Sequence, residues 1–192
     1  MPRSRLIVFA VLLMALSACG GGQTLTPPVP AATTPAPARI GDAGVSVDLP
    51  SGWSIAPRPT MSVTDPVQRV VVASTPAAIN PKRAACNTEA SARVFAPTGA
   101  MVLVMEYTSD IGGPFSHYPL RPEQFGPNVS KRVGHRTTAP AFECFDGAGW
   151  DFQFSDHGRR FLAWILLGTK ANAAVEAEAL SVLTSLTVTA TR

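Results

Sequence analysis

With 192 residues the chain has room for one ordinary domain plus tails, and 46% hydrophobic against 15% charged residues is a globular composition, not a disordered one. The formal charge of +3 falls to +1 once Arg3 and Arg5, which lie in a segment expected to be removed, are set aside. The basic pairs Lys82-Arg83, Lys131-Arg132 and Arg159-Arg160 are isolated from one another, so nucleic-acid binding is disfavoured and no nucleic-acid partner is expected.

Arg3 and Arg5 precede an apolar run, Leu6 to Ala18, interrupted only by Ser17. The run is too short for a transmembrane helix, which needs about 20 apolar residues, and it has the layout of an export signal. Leu16-Ser17-Ala18-Cys19 resembles the bacterial lipobox. That resemblance implies cleavage before Cys19, acylation of its thiol, and a palmitate-type anchor holding the mature lipoprotein on the extracytoplasmic face of the cell membrane. The following GGGQTLTPPVPAATTPAPAR, residues 20–39, is rich in Pro, Thr and Ala and cannot bury a core. It reads as a disordered, partly polyproline-like tether. The expected division is therefore 1–18 signal peptide, 19–39 lipidated cysteine and tether, and 40–192 a single globular domain.

Setting Cys19 aside leaves Cys86 and Cys144, an even pair in an oxidising compartment. Neither belongs to a C-x-x-C and no histidine stands close to either, so a structural disulfide is expected rather than a metal or redox site. They are 58 positions apart, and closing a loop of that size contributes ~4 kcal/mol in the chain-entropy model.

Along the domain, Val45-Ser46-Val47-Asp48-Leu49 alternates with period two, Pro50-Ser51-Gly52 carries turn chemistry, and Trp53-Ser54-Ile55 resumes the alternation, which predicts an opening hairpin. Val67 to Ala73 is a β-branched strand and Pro76 to Arg83 a loop. Asn87 caps a predicted short helix through Val94 and Phe95. Met101 to Tyr107 is apolar on both faces, as a central strand is.

Ser109 to Pro140 is rich in Pro, Gly and Ser and has no sustained period, so it reads as a long irregular region. Phe142 to Phe145 is a short predicted strand. Trp150-Asp151-Phe152-Gln153-Phe154 alternates with its aromatics on one face, Asp156-His157-Gly158 makes a hairpin turn, and Phe161 to Leu167 returns as a buried strand beside Met101 to Tyr107. Val175, Ala179, Val182, Leu183 and Leu186 trace one stripe of a long C-terminal helix, Ala173 to Leu186, and Thr187 to Thr191 is a last strand.

Strands outnumber helices, so the predicted class is α+β: an antiparallel sheet with one long C-terminal helix and a shorter one. VSVDLPSGW (Val45 to Trp53) and FLAWILLG with AEALSVLTSL (Phe161 to Leu186) are similar to the PsbP/Mog1-like fold, which actinobacterial surface lipoproteins also use. The resemblance implies an interaction or binding module more than an enzyme and carries no catalytic residues.

Chemistry-bearing groups are sparse. The G-x-S-x-G elbow, HExxH and the phosphate-loop spacing are absent, and His117, His135 and His157 are scattered through loops, so no catalytic residue, metal site or cofactor is assigned. Pairing of Glu106, Asp110, Glu123, Glu143 or Asp146 as acid and base needs distances that sequence does not supply. Phe115, His117, Tyr118, Arg121 and Phe125, an aromatic and basic group in the long irregular region, form the candidate binding surface. The reading is a membrane-tethered, non-enzymatic binding or assembly module of the cell envelope, its partner an envelope protein or a small apolar ligand. A carrier of lipid between sheet and helix and an envelope hydrolase with an unrecognised site are the alternatives.

Overall fold

The turn Ala43-Gly44, with φ of 49° and 74°, is where the described fold begins: two left-handed residues in succession match the right-handed twist of flanking strands. They join β1 (Ala38–Asp42) to β2 (Val45–Leu49) as an antiparallel hairpin. The structure is a computed structural model that describes residues 37–56, 65–79, 93–109, 117–137, 145 and 147–190. The remaining strands are β3 (Ser54–Ile55), β4 (Val67–Ala73), β5 (Ala78–Ile79), β6 (Arg93–Val94), β7 (Ala100–Tyr107), β8 (Gly134–Thr137), β9 (Ala148–Asp156), β10 (Arg159–Leu167) and β11 (Thr187–Val188); α1 spans Ala173–Thr184.

Two sheets carry nine of these strands. One is three-stranded, in the order β1-β2-β11, and the other six-stranded, β3-β4-β7-β10-β9-β8, antiparallel throughout; β5 and β6 form a separate ribbon. The inner face of the six-stranded sheet, with Val70, Val72, Val102, Val104, Phe152, Phe154, Phe161 and Ile165, packs against Ala179, Val182 and Leu183 of α1 and Val45 and Val47 of β2. Its outer face buries Val71, Met101, Leu103 and Leu166 with Ala56 and Phe145. Apolar contact on both faces explains why β7 and β10 read as unbroken apolar runs.

Asn172 caps α1, its side chain accepting from Val175 N–H at 3.0 Å. Ser185 ends it: the hydroxyl donates to Val182 O at 2.7 Å and accepts from Asp48 N–H at 2.8 Å, tying the helix to β2. Among the described residues no helix is long and apolar enough to cross a membrane.

Several expectations are corrected. The two-helix α+β arrangement is overturned: the fold is mostly antiparallel sheet, and α1, 12 residues long, is the single helix among the described residues. The segment expected to be helical from Asn87 to Phe95 ends instead in β6, where Val94 pairs with Ala78. The β-branched Val94 suits a strand, and Phe95 stacks on Phe145 at 5.9 Å, so tertiary packing overrides the local helical pattern. The opening hairpin does not join β2 to β3. Trp53 N–H donates to Pro50 O at 3.1 Å across a turn with Gly52 at φ 84°, and this turn carries the chain into the other sheet, where β3 pairs with β4.

β1 starts at Ala38, two residues inside the expected tether, and β8 lies within the stretch expected to be irregular. The last strand stops at Val188, and Phe145 lies outside any strand. The signal segment, Cys19, and the cysteines Cys86 and Cys144 lie outside the described residues.

Candidate functional site

Four of the five residues of the predicted binding surface are among the described residues, and those four have separate surroundings. Phe125 is core: it packs edge-on to Phe152 and Phe154 at 5.0 and 5.1 Å, and its backbone N–H donates to Thr184 Oγ1 at 3.2 Å. Arg121 is a staple, donating to Leu186 O and pairing with Asp156 at 3.2 Å. Tyr118 meets Tyr107 edge-on at 6.1 Å, and burial, then Tyr107, pushes its phenol well above the usual range. His117 is exposed, and Phe115 lies outside the described residues. Backbone bonds between Ser155 and both Pro119 and Arg121 fix this segment alongside β9, so its aromatics cover the core.

Of the other candidate groups, His157 sits in the β9–β10 turn at φ 50°, with Nδ1 2.7 Å from Asp156 Oδ1. Glu106 is engaged by two arginines inside the fold. Among the described residues no three His, Cys, Asp or Glu side chains are grouped to hold a metal ion.

What covering the core with residues 117–133 creates is a groove. A depression of about 660 Å³ opens between this segment, the edge strand β8 and the first half of α1. Val129, Pro127, Trp150, Ala173, Ala177 and Leu180 give it apolar walls, and Lys131, His135 and Arg136 stand on the β8 side. Its one carboxylate among the lining residues is Glu176.

Glu176 holds the site together. Arg136 Nε and Nη2 donate to its two oxygens at 2.7 and 3.2 Å, a bidentate pair, and the Trp150 indole N–H donates to Oε1 at 2.8 Å. The Arg136 bond holds the Glu176 carboxyl below its ordinary range against the opposing effect of burial, with Trp150 adding to it. The same pair raises Arg136. Trp150 is 5% exposed and stacks on Phe152 at 5.5 Å, which in turn carries Phe125, so the groove floor is a continuous aromatic layer. A second, smaller depression of about 130 Å³ lies behind β8, lined by Lys131, Arg132, His135, Asp151 and Gln153. There burial raises the Asp151 carboxyl, and neighbouring His135 and Trp164 oppose the shift.

β8 seats against the floor through Gly134. A Cβ there would stand 2.2 Å from Phe152 Cδ1 and 2.6 Å from Asp151 O, and neither a fully buried ring nor a backbone carbonyl can withdraw. Gly134→Ala is expected to cost about 1–3 kcal/mol through overpacking, read as a lowered denaturant midpoint; an unchanged midpoint would show that β8 is free to shift.

Sequence reasoning missed this site because its parts are scattered. Arg136 and Glu176 are 40 positions apart, and Trp150 and Glu176 are 26. No short-range spacing marks them. No family model, curated protein or solved structure matches the chain.

Proposed function

We propose that the chain is a lipid-anchored, extracytoplasmic lipoprotein that serves as a non-enzymatic binding module of the cell envelope and takes its partner in the groove between β8 and α1. The observation that carries the binding reading is the groove itself: about 660 Å³, apolar-walled, open to solvent, with cations along one side. A concave apolar site with a few oriented polar groups is the usual form of a ligand site. Its walls are fixed before any partner arrives, since Glu176 clamps β8 and β9 to α1. The lipobox-like Leu16-Ser17-Ala18-Cys19 and the tether after it support the location, because together they would hold the domain on the membrane while leaving the groove accessible.

The test places a photoreactive amino acid at Ala177, which lines the groove, and in a parallel strain at Glu178, its exposed neighbour on α1 that does not. Irradiation of intact cells is expected to give a discrete adduct from position 177 and at least ten-fold less from position 178. Equal labelling from both positions, or none from 177, contradicts a groove-bound partner.

A further inference from the structure

Three features of the groove point to one kind of occupant, and the inference rests on the groove reading above. The first is backbone. Among the described residues β8 pairs with β9 alone, so it is the edge of the six-stranded sheet. Gln153 N–H donates to Val133 O at 2.7 Å, which sets the alternation: residues 135 and 137 turn their backbone groups toward β9, while Gly134 and Arg136 turn theirs outward. The Gly134 N–H is taken by Ser130 O at 3.1 Å, and the Gly134 carbonyl and both backbone groups of Arg136 are directed away from the sheet. Such an edge is a template for an added strand.

The second feature is shape. A trough with a strand edge on one side and a helix on the other accepts an extended chain, whose side chains alternate between the floor and the solvent. Val129, Trp150 and Leu180 supply the apolar floor for the inward set.

The third is charge. Lys131, His135 and Arg136 border the trough, while Glu176 already accepts from Arg136 and Trp150. Ala173 opens α1 at the trough, adding the positive end of the helix dipole.

We propose that the groove binds an extended, acidic segment of a partner protein, which adds to β8 as a strand over about four residues. Its inward apolar side chains rest on Trp150 and Leu180, and its carboxylates, on the alternate set, lie on the face of β8 that carries Lys131 and His135. An anionic lipid would use the same cations but has no use for the strand edge.

The experiment titrates the full-length protein in detergent with a fluorescein-labelled octapeptide alternating Val and Glu, its Val/Lys counterpart, two versions of the acidic peptide N-methylated at either the Val or the Glu positions, and phosphatidylglycerol vesicles. The acidic peptide is expected to bind at least ten-fold tighter than the basic one, and Lys131→Glu, an exposed position, is expected to weaken it about ten-fold. Because only alternate residues of an added strand bond to β8, one methylated version should lose binding and the other keep it. Equal binding of the acidic and basic peptides, equal effects of the two methylations, or vesicle binding that depends on Lys131 in the absence of peptide binding overturns the proposal. If the adduct at position 177 persists while the peptide fails, the peptide proposal falls alone; if both fail, the groove reading falls with it.

Discussion

Replacing Glu106 with Gln is expected to lower the free energy of unfolding by about 3–5 kcal/mol at pH 7, a large share of the roughly 5–15 kcal/mol that holds a domain together. The carboxylate, on β7, is 6% exposed. It accepts from Arg159 Nε and Nη2 at 2.7 and 2.6 Å and from Arg69 Nε at 2.7 Å. Arg159 is equally buried, donates its remaining nitrogen to Thr189 O at 3.1 Å, and lies over the Phe161 ring. Arg69 reaches on to Asp42 of β1 at 3.7 Å. One carboxylate thereby joins β4, β7 and β10 and, through its arginines, the hairpin and the tail beyond β11. The amide keeps the shape and removes the charge, which leaves the buried Arg159 guanidinium without its counter-ion and takes from Arg69 the nearer of its two carboxylates.

The pH dependence follows with a definite sign. Burial raises the Glu106 carboxyl, but the bonds from Arg159 and Arg69 outweigh it and leave the folded-state value lowered. Its contribution is therefore fully present above the unfolded-state value of about 4.3 and is lost as pH falls through the lowered folded value. Glu176, lowered by Arg136, loses its contribution in the same direction. Denaturant titrations of the parent and Glu106→Gln should accordingly differ most at pH 7 and converge toward pH 3. A difference below about 1 kcal/mol at pH 7 would mean that the cluster behaves as a surface ion pair does.

The parts of the fold that were legible in the sequence are those whose local chemistry and burial agree. Met101 to Tyr107 and Phe161 to Leu167 could be read as paired central strands because both faces are covered. Asp156-His157-Gly158 announced its turn through Gly158. The stripe Ala179, Val182, Leu183 and Leu186 is the buried side of α1 and the turn after it.

What failed was long-range or locally contradictory. Ala43 holds a left-handed conformation for which Asn, Asp or Gly is the usual signal, so the first hairpin went unseen. The pairing of β3 with β4 is fixed by Trp53 and Ala56 reaching opposite cores, which no turn motif encodes. Phe125, read as part of a binding surface, packs into the core against Phe152 and Phe154, because its burial depends on partners in β9. The groove this leaves beside β8 depends on contacts among three separate elements and has no sequence signature.

The second large effect is all or none. Acyl chains stabilise membrane association by ~0.8 kcal/mol per buried methylene, so two or three chains hold a protein on a bilayer where one gives only marginal, reversible binding. Cys19 is the thiol in the lipobox-like pattern, and Ser in its place offers no sulfur for the thioether on which the proposed anchor depends.

Metabolic labelling with palmitate followed by cell fractionation is therefore the decisive experiment for the proposed anchor. The parent is expected to be labelled and to sediment with the cell membrane on its extracytoplasmic face, and Cys19→Ser to carry no label and leave the membrane fraction. Recovery of the parent unlabelled and soluble inside the cell would contradict the anchor.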